Sequence, residues 1–589
     1  MSEDSNLVGT QYKPLRKWVP VVLLPLMVAA RFVPDLVQNG PAMIWAVAAF
    51  GPFLIGLGIM LWWLFASRAR WTERLVGLVA LVGLSVGVGL VMDPSMQGPL
   101  IIVMTIPMGI AGFAIGLILF ANLLSFKRTV FALGLALLGM SVSTLLKNDG
   151  VWGNFAFGLD WRWKATPEEQ FLANRSNQAA SPIANEGVEV MRAAFQKPEW
   201  PGFRGPDRDG AQHGQVFAAS WEQNPPKELW RIQLGPAWSS FAVAGNFLFT
   251  QEQRGDMEAI VCYNAESGAE IWSQTIASRF FEGLGGLGPR ATPTIADGFV
   301  YAMGAEGWLM KLDATDGTVA WSVDVRKAAD RAPPMWGFSS SPLVTDGVAV
   351  IHCGGKGDKG VLAFDTASGD LRWSAAASEQ SYGSLQVVTL QGQRMLGLLT
   401  DQGAEFLDPA KGTTVFNYNW QHPGYRALQP QIVDDNKVLI PTGLGSGTRL
   451  IEVSTNDQVW SAKDLWTTRD MKPDFNDVVV HQGYMYGFDN AIFACVDLKD
   501  GSLKWKEGRY GKGQVLLLAD SDLLLVLSEK GELVLLKADA TGHQVLAKLQ
   551  ALEGKTWNHP VVVNDRLYVR NAREAACYQL PTVNSGDLQ

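Results

Sequence analysis

The stretch Val361 to Trp373, VLAFDTASGDLRW, returns at a nearly fixed period through the C-terminal two-thirds of the chain. A repeat of that kind settles architecture before any single motif does. Aligned on its turn glycine it recurs at Gly268 (YNAESGAEIW), Gly317 (LDATDGTVAW), Gly369, Gly412 (LDPAKGTTVF), Gly501 (VDLKDGSLKW) and, degenerate, Gly542 (KADATGHQVL), with a further copy at Asn456 (EVSTNDQVW). Four residues before the glycine, Asn264, Asp313, Asp365, Asp408 and Asp497 offer a side-chain acceptor to the turn amides, and the glycine supplies positive φ. Asn456 takes that place in its own copy, asparagine being the usual non-glycine visitor to left-handed backbone. Four residues after it stands one large apolar residue per copy: Trp272, Trp321, Trp373, Phe416, Trp460, Trp505 or Leu546.

Counted from Trp230, these apolar anchors are 42, 49, 52, 43, 44, 45 and 41 residues apart, the room that four short strands need. Each period therefore predicts one propeller blade. Lys227 to Leu234 has no partner strand before the first copy, and Ala575 to Leu580 lacks a fourth strand after the last. Joined, they predict eight blades closed by one strand from each end, with no sheet edge left open.

The first 150 residues hold most of the hydrophobic excess. After a polar start with Lys13, Arg16 and Lys17 comes a short apolar run, residues 18 to 34, interrupted by Arg31; a signal peptide is the alternative, but a small-residue cleavage site is missing. Uncharged runs follow at 42 to 66, 75 to 92, 99 to 126 and 129 to 146, each long enough to cross a bilayer. The expectation is five spans with no ionisable residue inside the last four. Lys13, Arg16, Lys17, Arg68, Arg70, Arg74, Lys127 and Arg128 fall on one side, so the amino terminus is expected in the cytoplasm of a bacterial inner membrane and the repeats in the periplasm.

The organisation expected is an anchor over 1–147, a linker over 148–197, the propeller over 198–580 and a disordered tail over 581–589. In the linker, Trp152, Trp161 and Trp163 suit a membrane interface, and Thr166 to Glu169 has capping-box spacing. A net charge of −8 argues against nucleic acid. Cys262, Cys495 and Cys577 hold equivalent repeat positions and read as buried strand residues, with Cys353 alone.

The phrases WPGFRGPDRDG (200 to 210), LDATDGTVAW, GPRATPT (288 to 294), MWGFSSSP (335 to 342) and KTWNHPV (555 to 561) resemble the PQQ-binding-like β-propeller repeat proteins. That superfamily includes quinoprotein alcohol dehydrogenases and the outer-membrane assembly propeller lipoprotein of the BamB type. A five-span anchor ahead of eight blades also resembles the membrane-bound quinoprotein glucose dehydrogenase. The resemblance covers 198–580 and speaks for fold; activity stays open between a binding platform for a periplasmic protein or peptide and a PQQ-dependent alcohol or sugar dehydrogenase.

A PQQ enzyme would need Ca²⁺ held by carboxylate and amide oxygens beside the quinone, plus a carboxylate base. Asp401, Asp489, Asn490 and Glu529 stand near blade hairpins, where ordinary turn residues also stand, and Asp477 is the base if the chain is an enzyme. No metal and no cofactor follow from the residues alone. GLGGLG (283 to 288) spells a dinucleotide fingerprint but lies in no β-α-β unit, and the six histidines show no metal-ligand spacing. The connections that lead from one blade's outer strand to the next blade's inner strand converge on one mouth of the channel. They supply the candidate binding residues Arg290, Trp336, Tyr382, Arg426, Asn476, Asp477, Trp557 and His559, expected to be exposed in an axial funnel.

Overall fold

The computed structural model describes residues 15–36, 43–153, 156–175, 185–379, 381–457 and 459–583. Lys13, much of the polar spacer before 187 and the tail from 584 lie outside the described residues. Two compact units result, 1–164 with 283–286, and 165–282 with 287–589.

The first unit is helical: α1 Trp18–Leu36, α2 Met43–Leu61, α3 Trp71–Val91, α4 Ile106–Leu119 and α5 Ser125–Ser141. Among the described residues four stretches are long and apolar enough to cross a membrane: Val47–Ala66, Trp71–Val91, Ile101–Leu119 and Phe126–Leu145. The expectation of five is corrected to four. The apolar stretch in α1, Trp18–Phe32, is shorter than a span needs. It packs antiparallel to α2, with Leu23 against Gly58, Ala30 against Gly51, and the Arg16 amide donating to the Ser67 carbonyl at 3.4 Å. Between α4 and α5 glycine permits close approach: a Cβ on Gly112 or Gly116 would meet the backbone of Leu135 or Ala132 at 2.3 and 2.4 Å.

A second correction concerns charge. Two helices start ahead of the uncharged runs, so Glu73 falls in the first turn of α3 and Arg128 in that of α5. The guanidinium donates to both Glu73 oxygens at 2.7 Å, the Thr129 hydroxyl adds a bond at 2.9 Å, and the pair is buried. A buried charge is tolerated when it is paired and hydrogen-bonded in this way.

In the described residues the second unit carries eight sheets in propeller order: residues 242–277, 294–324, 343–375, 386–419, 431–468, 479–509, 514–550, and 561–579 with 227–233, named here blades 1 to 8. The closure matches the sequence reading: Lys227–Gln233 is the outer strand of blade 8, antiparallel to Glu574–Gln579, with Trp230 opposite Cys577. All four cysteines are free and buried.

The repeat's turn chemistry is also as expected. Asn264 accepts from two turn amides at 2.9 Å, Asp408 likewise, and Gly268, Gly317, Gly369, Gly412 and Gly501 have φ between 69 and 78°. The glycine has a second reason, which only the packing reveals. The anchor tryptophan of the preceding blade lies flat against it, so a Cβ on Gly317 or Gly369 would meet the indole of Trp272 or Trp321 at 2.5 or 2.9 Å. The indole N–H then donates to a carbonyl beside the same turn: Trp230 to Ala265, Trp272 to Ala314, Trp321 to Thr366 and Trp505 to Asp539, at 2.8 to 3.1 Å.

Blade 5 departs from the expected alignment. Its outer hairpin, Gly447–Asn456 and Val459–Thr468, is longer, and the left-handed residue is Asp457, not Asn456. The docking indole is Trp466, which sits on Gly501 and donates to Leu498 at 2.9 Å, while Trp460 packs on Phe416 with centroids 6.1 Å apart. The extra hairpin length moves the docking position six residues along the strand.

Two helices precede the blades. In α6, Pro167–Arg175, the capping box forms in both directions: the Thr166 amide donates to Glu169 at 2.7 Å and the Glu169 amide to the Thr166 hydroxyl at 3.1 Å. Glu168 then pairs with Arg279, and Arg175 with Glu270 of blade 1. In α7, Asn185–Gln196, Met191 and Phe195 bury against the apolar residues of blades 1 and 2.

Candidate functional site

WPGFRGPDRDG, the segment ahead of the first blade, runs through the axis of the ring. Trp200 pairs with Val243 of blade 1, its amide and carbonyl both engaged at 3.1 and 2.7 Å. The Pro201 carbonyl accepts the amide of Ile295 in blade 2 at 2.8 Å, and the Gly210 carbonyl that of Leu517 in blade 7 at 2.9 Å. Ala211–Gln212 then extends blade 7 as a fifth, parallel strand. The segment thus caps inner strand edges that a propeller channel leaves unpaired.

Its two arginines reach blades 3, 4 and 6. Arg204 and Arg208 hold left-handed backbone, φ 61 and 54°, within a tight glycine-rich turn. Gly210 must be glycine, since a Cβ there would meet the Arg204 guanidinium at 2.7 Å. Arg208 donates to Pro342 and Leu385 carbonyls at 2.6 Å and to Ser341 at 3.3 Å, the residues just ahead of blades 3 and 4. Arg204 donates to the Val478 carbonyl at 2.9 Å and stands 3.0 Å from Asp477, out of line with its N–H bonds. Burial draws both guanidinium pKa values down to about 10, so both stay charged at neutral pH.

The eight sequence-derived candidates divide around this axis. Asp477 is buried, paired with Arg204, and accepts the Gln429 amide at 2.9 Å. Asn476 is buried beside it, accepting the Asp474 amide at 3.0 Å, and His559 is buried against Phe203 with centroids 6.3 Å apart. Burial, aided by the positive charge of Arg204, pushes the His559 pKa down to about 3. Arg426 is 1% exposed and donates to the Thr442 hydroxyl, the Trp420 carbonyl at 2.8 Å and the Thr400 carbonyl. Arg290 lies over Phe280 at 4.8 Å, donates to the Gly288 carbonyl and pairs with Glu282 at 3.5 Å. The expectation that these are exposed funnel residues is corrected for Asp477, Asn476, His559 and Arg426, which are buried, while Arg290 is half-buried. Each supplies donors or acceptors to backbone that loops leave unsatisfied, and a buried loop demands such partners.

Trp336, Tyr382 and Trp557 keep a half-open position on the mouth. Trp336 meets Tyr425 edge-on at 4.4 Å and Tyr382 at 5.2 Å, and the tyrosines meet at 5.4 Å. Met335 beside them and Leu444 on the next turn are exposed. The Tyr425 hydroxyl donates to Asp474, which pairs with Lys512 at 3.0 Å. A second aromatic group follows, Trp557 between Phe475 at 5.1 Å and Trp238 at 4.8 Å, with the Lys555 ammonium 4.6 Å from the Trp557 ring. Trp238 and Lys512 escaped sequence reasoning because their connections, from blade 8 to 1 and from 6 to 7, are short and carry no cluster of unusual residues.

A quinone–calcium centre does not fit these residues. The axis is occupied by the chain's own segment, and Asp477 is held by a guanidinium. Asp489 is taken by Lys472 and Lys506, Glu529 accepts the Trp557 indole N–H at 2.8 Å, and Asp401 stands on a third blade. Among the described residues no three His, Cys, Asp or Glu are grouped to hold a metal. One carboxyl is set apart: Glu258 accepts the Ala305 amide at 3.2 Å, and burial pushes its pKa up to about 7.

The family model described as outer membrane protein assembly factor BamB matches residues 221–393 and 337–507. Among solved structures, BamB from Moraxella catarrhalis is 14% identical, covers 60% of this chain and 100% of its own, and gives a TM-score of 0.46. Quinohemoprotein alcohol dehydrogenase from Comamonas testosteroni is 12% identical, covering 71% and 85%, with a TM-score of 0.46. A quinohemoprotein alcohol dehydrogenase from Pseudomonas putida HK5 is 14% identical, covering 69% and 83%, with a TM-score of 0.44. No curated protein matches the chain in sequence.

Proposed function

We propose that this chain, whose repeats match the family model of the assembly factor BamB over residues 221–393 and 337–507, is a membrane-anchored binding platform. The observation that carries the reading is the mouth. Two aromatic groups, around Trp336 and around Trp557, stand half-open on it, while the axis behind them is filled and its one buried carboxylate is spoken for. Half-buried tryptophan and tyrosine offer a large, stiff, amphipathic contact area, the composition of protein-binding hot spots. The partner is a periplasmic protein or peptide.

Charge supports the placement. Arg68, Arg70, Arg74, Lys127 and Arg128 share one end of the helical unit, where Glu73 and Arg128 pair. That end is cytoplasmic by the positive-inside rule, and the chain leaves the other end, at Leu145, toward the periplasm of an inner membrane. A photo-crosslinker at Met335 should capture a periplasmic protein in intact cells, and Trp336→Ala should abolish the adduct. Purified protein given PQQ and Ca²⁺ should reduce no artificial acceptor with alcohols or sugars. Substrate-dependent turnover that Asp477→Asn removes would reverse the reading in favour of a dehydrogenase.

A further inference from the structure

Between α5 and α6 lies a hairpin that the binding reading leaves unused. Strands β1, Leu146–Val151, and β2, Phe157–Trp161, pair antiparallel, with Leu146 opposite Trp161. Alternation along β2 puts Leu159 and Trp161 on one face, and both are exposed. Trp163, two residues on, stacks on Trp161 with centroids 5.1 Å apart and planes 13° from parallel. The two indoles are 50% and 69% exposed, an apolar surface that water alone gives no reason to keep.

The hairpin's position says what covers it. Its Arg162 side chain donates to the carbonyl of Val91, the last residue of α3, at 2.9 Å, and the Arg162 amide donates to Leu145, the last residue of the fourth apolar stretch, at 2.9 Å. The Asn148 amide donates to the Ser95 hydroxyl at 2.9 Å, in the turn after α3. A helix of 21 residues is about 31 Å long at ~1.5 Å per residue, and the hydrocarbon layer is about 30 Å thick. The hairpin is therefore tied across the ends of two helices that match the membrane thickness. Lys147, Arg162 and Lys164 flank the indoles, and Asp160 and Asp93 pair with two of these cations.

We infer that this hairpin lies in the membrane–water interface of the non-cytoplasmic leaflet, with Trp161 and Trp163 among the lipid headgroups. Indole suits that layer, since its ring is apolar and its N–H finds an acceptor there. The inference rests on the anchor reading above. It adds that the first structured residues outside the bundle are held on the lipid surface.

The test uses the full chain in nanodiscs with an environment-sensitive thiol dye at Trp163→Cys and, separately, at Val79→Cys on the exposed middle of α3. The native cysteines are buried and take up little label. The dye at 163 should be quenched by lipids brominated close to the carbonyls and shielded severalfold from iodide relative to free dye. At 79 only lipids brominated deep in the chain should quench. Full iodide access at 163 with deep-lipid quenching at 79 overturns the inference and leaves the anchor standing. Shielding at 163 without lipid quenching also overturns it, because protein then covers the hairpin. Loss of lipid quenching at both positions removes the anchor reading and the inference together.

Discussion

The outer corners of the blades and the axis of the ring hold the propeller together by opposite means. At the corners one contact is repeated: an indole of one blade lies on the turn glycine of the next and donates to the carbonyl beside it. On the axis a single segment does the work once, reaching most of the ring through two buried arginines, one strand bridge, one further backbone hydrogen bond and a short parallel strand. Repeated contacts fail one at a time and cost little each. A contact made once is shared by many blades, so its loss is felt around the ring.

Ring closure is the largest lever on that contrast. Ending the chain at Asn571 removes the strand that pairs with Lys227–Gln233 and bares two sheet edges. The propeller should lose its cooperative melting transition altogether, which circular dichroism against temperature would register. A truncated protein that melts where the full chain melts would mean that blade 8 closes nothing.

Next comes Arg208→Met, which takes the guanidinium donor from the buried carbonyls of Leu385 and Ser341 and leaves Pro342 only the Thr294 hydroxyl. We expect a loss of about 3 kcal/mol, from buried acceptors that lose a donor at roughly 1–3 kcal/mol each, less the relief of a buried charge. The same change at Arg372, an exposed partner of Asp365 on a blade corner, should leave the denaturation midpoint where it is. Equal effects at the two positions would erase the distinction between corner and axis.

Acid should act on the axis before the corners. His559 is neutral when folded, with a pKa near 3, whereas in the unfolded chain it titrates at about 6.5. Below that value the unfolded state binds a proton that the folded state refuses. Stability is therefore fully present above pH 6.5 and declines as pH falls toward 3, by about 1.4 kcal/mol per unit for this one group. His559→Gln should flatten the slope of unfolding free energy between pH 6.5 and 5, and an unchanged slope would show that the ring is hydrated in solution.

The same contrast explains what the sequence makes legible. Asp365, Gly369 and Trp373 reveal a blade because three local requirements coincide at a fixed interval, and the interval yields eight blades and their closure. Trp466 escapes because a longer hairpin shifts the register while Trp460 keeps the expected spacing. On the axis no interval exists. Arg204 and Arg208 sit in a glycine-rich stretch whose letters fit a surface turn as well as a buried one, and the available signal was two arginines in a turn-rich run ahead of a closed ring. For the same reason Arg426, Asn476, Asp477 and His559 could be placed on the right connections but not on the right side of them. Burial there depends on which carbonyl a loop leaves unpaired.

The smallest effect on stability belongs to the mouth, and there smallness is the point. Trp336 is half-exposed and touches mainly Tyr382 and Tyr425. Truncation to alanine forfeits two ring contacts worth about 0.5–1.5 kcal/mol each at most when buried, and less here. Its melting temperature should drop by no more than a degree or two, in a protein whose axial substitutions cost several times as much. Arg426→Ala, at a buried guanidinium, should behave like an axial change, since three acceptors lose their donor. The pair separates binding from folding: Trp336→Ala should abolish crosslinking from Met335 at full stability, whereas Arg426→Ala should lower stability first. If Trp336→Ala instead melts early, the aromatic group is part of the core, and the mouth is one more corner contact rather than a surface kept for a partner.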